Sequence, residues 1–171
     1  MSNAIEIIRA DIAGLLPRLR RFARAITRNA ESADDLVQVA VERALMRTAQ
    51  WEPGTRLDSW VFRIMKNAWI DELRIRTRRS QLFVAEEEGE HVGVCETDQQ
   101  INTMAVQKAM EQLTDDQRLA VGLVLVEGLP YKEAAEVLDI PIGTLTSRLA
   151  RGRETLQAIL SEGDTRKEIR P

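Results

Sequence analysis

Apolar residues recur at three- and four-residue intervals along most of this chain, the spacing that gathers them on one face of a helix, and no hairpin signal interrupts them. Leu15, Leu16, Leu19, Phe22, Ala23 and Ile26 form one such stripe and predict a helix from Ile5 to about Arg28. Pro17 falls early in its stronger stretch, where a helix tolerates proline best. The pattern breaks over Asn29 to Ser32. Ser32 reads as an N-cap, with Asp34 and Asp35 in the first turn of a helix that continues from Leu36 to about Thr48. Trp51-Glu52-Pro53-Gly54-Thr55 reads as a loop from its Pro-Gly pair. Asp58 or Ser59 can cap the next helix, Trp60 to about Arg78. Its apolar positions Val61, Ile64, Met65, Ala68, Ile70 and Leu73 cover a broad face, so it belongs at the centre of its lobe.

Periodicity then lapses. Glu86 to Asp98 holds two glycines and three consecutive glutamates, which predicts a flexible linker and a domain boundary. Helical spacing resumes near Ile101. Thr114 and Gln117 have the separation of a capping box, and Gly128-Leu129-Pro130 ends that helix and opens another. The expected fold is all-α: two helical domains joined by a flexible acidic linker. The divisions are residues 1–80, a linker at 81–103, a second lobe at 104–160 and a tail at 161–171.

From Tyr131 to Ala150 the second lobe reads as a helix-turn-helix. Ala134, Ala135 and Leu138 face the partner helix, and small Ala135 lets the two helices cross closely. Asp139-Ile140-Pro141 makes the turn. A positive φ is wanted at Asp139, and Asp tolerates that conformation better than most residues. Pro141 can open the second helix because its missing N–H would be unpaired there. In that helix Leu145, Leu149, Gly152 and Leu156 form an inward stripe, while Thr144, Ser147, Arg148 and Arg151 form an adjacent outward one. Guanidiniums and short hydroxyls suit phosphates and base edges, so DNA binding outweighs an ordinary helical hairpin with a solvated arginine face.

Charge divides the chain further. Net charge is −3, but residues 1–80 carry +5, residues 81–103 carry −6 and residues 104–160 carry −2, so the three parts have different tasks. A single cysteine, Cys95, excludes an internal disulfide, and with one histidine, His91, it makes a structural zinc site implausible. No apolar run is long enough for a membrane span, and the N-terminus lacks a basic-then-apolar signal, so no membrane insertion and a cytoplasmic protein are expected. No nucleophile–base or metal-ligand constellation is present, so neither an enzyme nor a cofactor is expected. Asn67, Asp71, Arg74 and Arg78 make one polar stripe on the long helix, ending in Arg74, Arg76, Arg78 and Arg79. With Trp51, Trp60 and Trp69 nearby, this lobe too can hold nucleic acid, since aromatics support unstacked bases.

These residues carry a resemblance in their order. Asp34-Asp35-Leu36-Val37-Gln38 is followed by Trp60-Val61-Phe62-Arg63-Ile64-Met65-Lys66-Asn67 and Asp71-Glu72-Leu73-Arg74. After the acidic linker come Glu127-Gly128-Leu129-Pro130-Tyr131-Lys132-Glu133-Ala134-Ala135 and the run from Gly143 to Arg153. Residues 10–160 resemble an extracytoplasmic-function (ECF) sigma factor of bacterial RNA polymerase, and the Trp51 loop and the run from Ala33 to Gln38 are similar to the alphaproteobacterial general-stress subgroup. The resemblance implies docking on the polymerase β′ clamp through Asp35, Gln38 and Glu42 with Leu36 in support, and a contact to the β flap. It implies minus-ten contacts from Trp51, Arg56, Asn67 and Asp71, with Arg74, Arg76, Arg78 and Arg79 on phosphates. Thr144, Thr146, Ser147, Arg148, Arg151 and Arg153 would read the minus-thirty-five element, the linker would thread through polymerase near the RNA path, and an anti-sigma factor is an implied partner. A sigma-like mimic that only occupies an anti-sigma factor, and a plain helix-turn-helix repressor, are the alternatives.

Overall fold

The computed structural model describes residues 2–82 and 98–168, with side chains over 5–82 and 103–161. Every regular element among the described residues is helical. The N-terminal lobe is α1 (Ser2–Ile26), α2 (Ala30–Met46), a 3₁₀ turn at Thr48–Gln50 and α3 (Leu57–Leu82). The C-terminal lobe is α4 (Asp98–Glu111), α5 (Asp115–Val121) running into a π turn at Gly122–Val126, α6 (Tyr131–Leu138) and α7 (Ile142–Glu168). Of the residues expected in the linker, 81–82 continue α3 and 98–103 belong to α4. His91 and Cys95 lie outside the described residues.

Local chemistry sets the helix ends. The N-cap of α2 is Asn29 rather than Ser32: its Oδ1 accepts the Ser32 N–H at 2.7 Å, and Ser32 lies already inside the helix. Similarly α3 starts ahead of both expected caps. Trp60 N–H donates to the Arg56 carbonyl, and Asp58 sits in the first turn, where its charge complements the helix dipole. The capping box of Thr114 and Gln117 is formed in both directions. Asp139 adopts φ 57°, ψ 47°, the left-handed geometry the turn requires. Pro17 falls well inside α1, not near its start, and its ring is exposed.

Burial follows the stripes. Leu19, Phe22, Ala23 and Ile26 of α1 are fully buried against Ala40 of α2 and Val61, Phe62 and Met65 of α3, with Phe22 and Phe62 edge to face at 5.2 Å. In the C-terminal lobe Ala134, Ala135 and Leu138 are buried beneath Leu145 and Leu149. The lobes are not separate cores: their buried apolar residues form one continuous cluster. At the seam Gly122 of the π turn lies so close to Phe22 that a Cβ there would stand 2.9 Å from its ring.

Candidate nucleic-acid and polymerase interfaces

On α7 the two stripes separate as their spacing requires. Leu145 and Leu149 are buried, Leu156 is half-buried, and a Cβ on Gly152 would meet Val121 at 2.8 Å, so this glycine permits the close helix crossing. Thr146, Ser147, Arg151 and Arg153 are exposed, while Thr144 and Arg148 are partly covered. Three of these side chains have partners within the lobe. The Arg148 guanidinium meets the Asp116 carboxylate at 2.9 Å, Thr146 donates its hydroxyl to the Ile142 carbonyl, and Arg153 donates to the Tyr131 hydroxyl at 3.4 Å.

On α2, Asp35, Gln38 and Glu42 are exposed on one face, and Gln38 donates to Glu42 at 3.1 Å. Leu36 points the other way and is only 6% exposed, so it anchors the helix in the core and offers no contact surface. The apolar part of the outer face is Val39 and Met46, the latter 84% exposed.

The expected minus-ten cluster is partly redistributed. Asn67, Arg74, Arg78 and Arg79 are exposed along α3. Arg76 is not with them. At about 100° per residue it lies roughly 200° round from Arg74, and there it pins α3 to α2. It donates to Glu72 at 2.9 Å and to the Ser32 hydroxyl at 3.1 Å, and it stacks over the Trp69 ring. Asp71 pairs with Arg43 of α2 at 3.4 Å, which accounts for an acid within a basic stripe. Trp69 is 3% exposed and Trp60 is half-buried against the core, so Trp69 offers no face to a base. Trp51 is half-buried in its loop, where Gly54 takes φ +91°.

Arg56, at the end of that loop, is held by carboxylates of both lobes. It donates to Asp58 through two nitrogens and pairs with Glu133 of α6 at 2.6 Å. Hydrogen bonding to Asp58 raises the Arg56 pKa above its ordinary value. Burial works to raise the Asp58 pKa, but hydrogen bonds from Arg56, Arg18 and the Ser59 N–H outweigh it and bring the group down to about 2.

The charged seam between the lobes was missed in the sequence. Glu127, at the end of the π turn, has a fully buried side chain that accepts from Arg18 at 3.1 Å and from Arg21 at 2.8 and 3.0 Å. Arg18 also reaches Asp58 at 2.8 Å, and Arg63 donates to the Glu136 carbonyl at 2.8 Å. Lys66 is 7% exposed at this seam. Burial pushes its pKa down, Asp139 opposes that shift and Arg63 adds to it. The one sequence signal was a lone acid, Glu127, closing the apolar run Leu123 to Val126.

Known proteins match this arrangement in both lobes. A family model described as the Sigma2 domain of PhyR matches residues 12–66, and one described as Sigma-70, region 4 matches residues 103–156. The ECF RNA polymerase sigma factor EcfG of Rhodopseudomonas palustris is 33% identical over 91% of this chain and 86% of its own. The chain belongs to the ECF sigma factors. The ECF sigma factor SigM of Mycobacterium tuberculosis is also 33% identical, over 99% of this chain and 90% of that protein. Among solved structures, the sigma factor RpoE in complex with the anti-sigma factor NepR from Bartonella quintana aligns with a TM-score of 0.75 and 31% identity, covering 89% of this chain and 95% of that one. CnrH in complex with the cytosolic domain of CnrY, 21% identical with a TM-score of 0.69, shares the fold. As an ECF sigma factor this chain binds core RNA polymerase and directs promoter-specific initiation of transcription. In this sigma factor α2 lies inside the region-2 match, α7 up to Leu156 lies inside the region-4 match, and the stripe from Asn67 onward lies beyond both. No helix among the described residues is long and apolar enough to cross a membrane.

Proposed function

We propose that this sigma factor reads a bipartite promoter with a different lobe at each end. The outward stripe of α7, lifted into solvent by the buried leucines beneath it, carries the reading. Arg151 and Arg153 are free of carboxylate partners among the described pairs, and with Ser147 and Thr144 they present donors suited to the minus-thirty-five major groove. Arg148 joins them once Asp116 releases it. Asn67 reads the minus-ten strand, Arg74, Arg78 and Arg79 hold its phosphates, and the loop from Trp51 to Arg56 receives a displaced base. Asp35, Gln38 and Glu42, with Val39 and Met46, dock α2 on the β′ clamp, and the C-terminal lobe meets the β flap. Strand opening then needs no covalent chemistry: capture of unstacked bases offsets an unpairing cost of a few kcal/mol. A protein with these partners works in the cytoplasm.

An anti-sigma factor as a partner is supported by the two relatives solved in complex with one. The relative solved with an anti-sigma factor also supports a second reading, a mimic that binds an anti-sigma factor without touching DNA. Transcription in vitro with purified core polymerase separates the two. Promoter-dependent transcripts that require the chain and fall at least tenfold in Arg151→Ala support the factor. Anti-sigma binding with no transcript supports the mimic.

A further inference from the structure

The two elements named above lie about 25 base pairs apart, roughly 85 Å of duplex at ~3.4 Å per pair. A compact chain of this length is only about 40 Å across. With the lobes sharing one core, it does not reach both elements. The closed form therefore has to part when the factor is used, and its seam shows what parting releases. Between the lobes lies a cavity of about 520 Å³, within the range of small-ligand pockets. One wall is the promoter loop and the start of α3, with Arg56, Ser59 and Arg63. The other is α6, with Glu133 and Glu136. The loop wall also carries Glu52, and two contacts cross between the walls. Glu133 pairs with Arg56 at 2.6 Å, and the Glu136 carbonyl accepts from Arg63 at 2.8 Å. The Ser59 hydroxyl, which lines the cavity, is buried without a hydrogen-bond partner.

We infer that α6 is an intrachain stand-in for DNA: Glu133 in its first turn occupies Arg56, and the Glu136 carbonyl in its second occupies Arg63, so that the free factor excludes a single strand from its minus-ten lobe. This rests on Arg56 being a minus-ten contact, as proposed above. The chemistry is competitive. With Asp58 on Nε and Nη2 and Glu133 on Nη1, each nitrogen of the Arg56 guanidinium faces a carboxylate, and a phosphate or base edge must compete with Glu133 for the Nη1 side. The competitor can be displaced, because Arg56 is 49% and Glu133 28% exposed and such pairs are partly screened by salt, although the pairing Glu133 Oε2 is itself out of solvent. The buried contacts of Glu127 and of Phe22 with Gly122 hold the lobes together, and the α6 carboxylate fills the arginines they bring near.

The test uses the full chain without polymerase and a fluorescein-labelled, mixed-sequence 12-nucleotide single strand, read by anisotropy at low salt. Glu133→Gln should tighten binding about fivefold. The gain should vanish when Arg56→Ala is added, and the matched charge change Glu6→Gln, exposed on α1 outside the cavity, should leave binding unchanged. No tightening in Glu133→Gln, an equal gain in Glu6→Gln, or a gain that survives Arg56→Ala overturns the inference. Thermal melting by circular dichroism checks that each variant is folded, and Glu133→Ala repeats the measurement should the glutamine variant fail. Promoter opening by Arg56→Ala holoenzyme tests the underlying contact separately. Undiminished opening there refutes the role of Arg56 in reading DNA, whatever Glu133 does.

Discussion

Replacing Arg118 by methionine should destabilise the whole chain by about 3 kcal/mol. Arg118 is 2% exposed, and the nearest carboxylate oxygen, on Asp115, is 3.5 Å away. Its guanidinium donates instead to four backbone carbonyls: Met110 at 3.0 Å, Glu111 at 3.3 Å and Leu113 at 2.9 Å where α4 ends, and Ile26 at 3.1 Å where α1 ends. The last carbonyls of a helix have no partner within it, and a cation there also complements the dipole. Burial pushes the Arg118 pKa down, partly offset by Asp115, but a guanidinium stays protonated in proteins. Methionine keeps the apolar stem and removes every donor. Four hydrogen bonds from a charged donor contribute about 6 to 12 kcal/mol, and releasing one buried charge returns several. The balance is near 3 kcal/mol. With a urea m-value of about 2 kcal/mol/M, the midpoint should fall by about 1.5 M. Lysine, with its charge but no planar fork, should lose about half as much. Trp51, Trp60 and Trp69 all lie in the N-terminal lobe, so tryptophan fluorescence reports that lobe and circular dichroism reports both. Because the Ile26 bond and the shared core join the lobes, both signals should shift together. A midpoint within about 0.3 M of the parent, or a shift confined to one signal, would refute this account.

Gly14 is exposed in α1 with open space around its Cα, so Gly14→Ala should raise stability by about 0.5–1 kcal/mol; Gly152→Ala should instead lower it by about 1–3 kcal/mol, because its new methyl meets Val121 at 2.8 Å, and urea titration of the pair reads both signs. Asp58, lowered from 3.8 to about 2, contributes fully above about pH 4 and loses that contribution as the pH falls through 2; across this window the parent should lose roughly 2 kcal/mol more than Asp58→Asn, measured by denaturation at each pH. Glu127→Ala removes the buried carboxylate that Arg18 and Arg21 share, and should cost about 2 kcal/mol and widen the distance between lobe-specific dyes; an unchanged transfer efficiency would show that the seam is held without it. Asp116→Asn frees Arg148, so holoenzyme binding to a minus-thirty-five duplex should strengthen two- to fivefold, while Arg148→Ala should weaken it at least tenfold in the same gel-shift series.

Sequence alone determined the helices, their inner faces and the helix-turn-helix. Those rest on chemistry a few residues long: the 3.6-residue repeat of Leu145, Leu149 and Gly152, the Thr114–Gln117 capping box, and an Asp at the left-handed position 139. Where two local signals competed, the nearer one misled, as when Ser32 looked like the cap that Asn29 supplies. The ECF motifs were legible for the same reason, since each is a short ordered run on one helix or loop. Side-chain direction within the basic cluster was harder. Arg74, Arg76, Arg78 and Arg79 are neighbours in sequence, yet helix geometry sends Arg76 to Ser32 and Trp69.

Only the tertiary structure decided how the lobes meet. Arg18 and Glu127 are 109 residues apart, Arg118 and Ile26 are 92 apart, and Arg56 and Glu133 are on different lobes. Nothing periodic links such pairs. A charge is marked as a partner only when folding takes it out of water and leaves another charge within reach. The stripes told which face of each helix turns inward. The burial of Glu127 and Arg118, which no stripe encodes, joined the two lobes into one core.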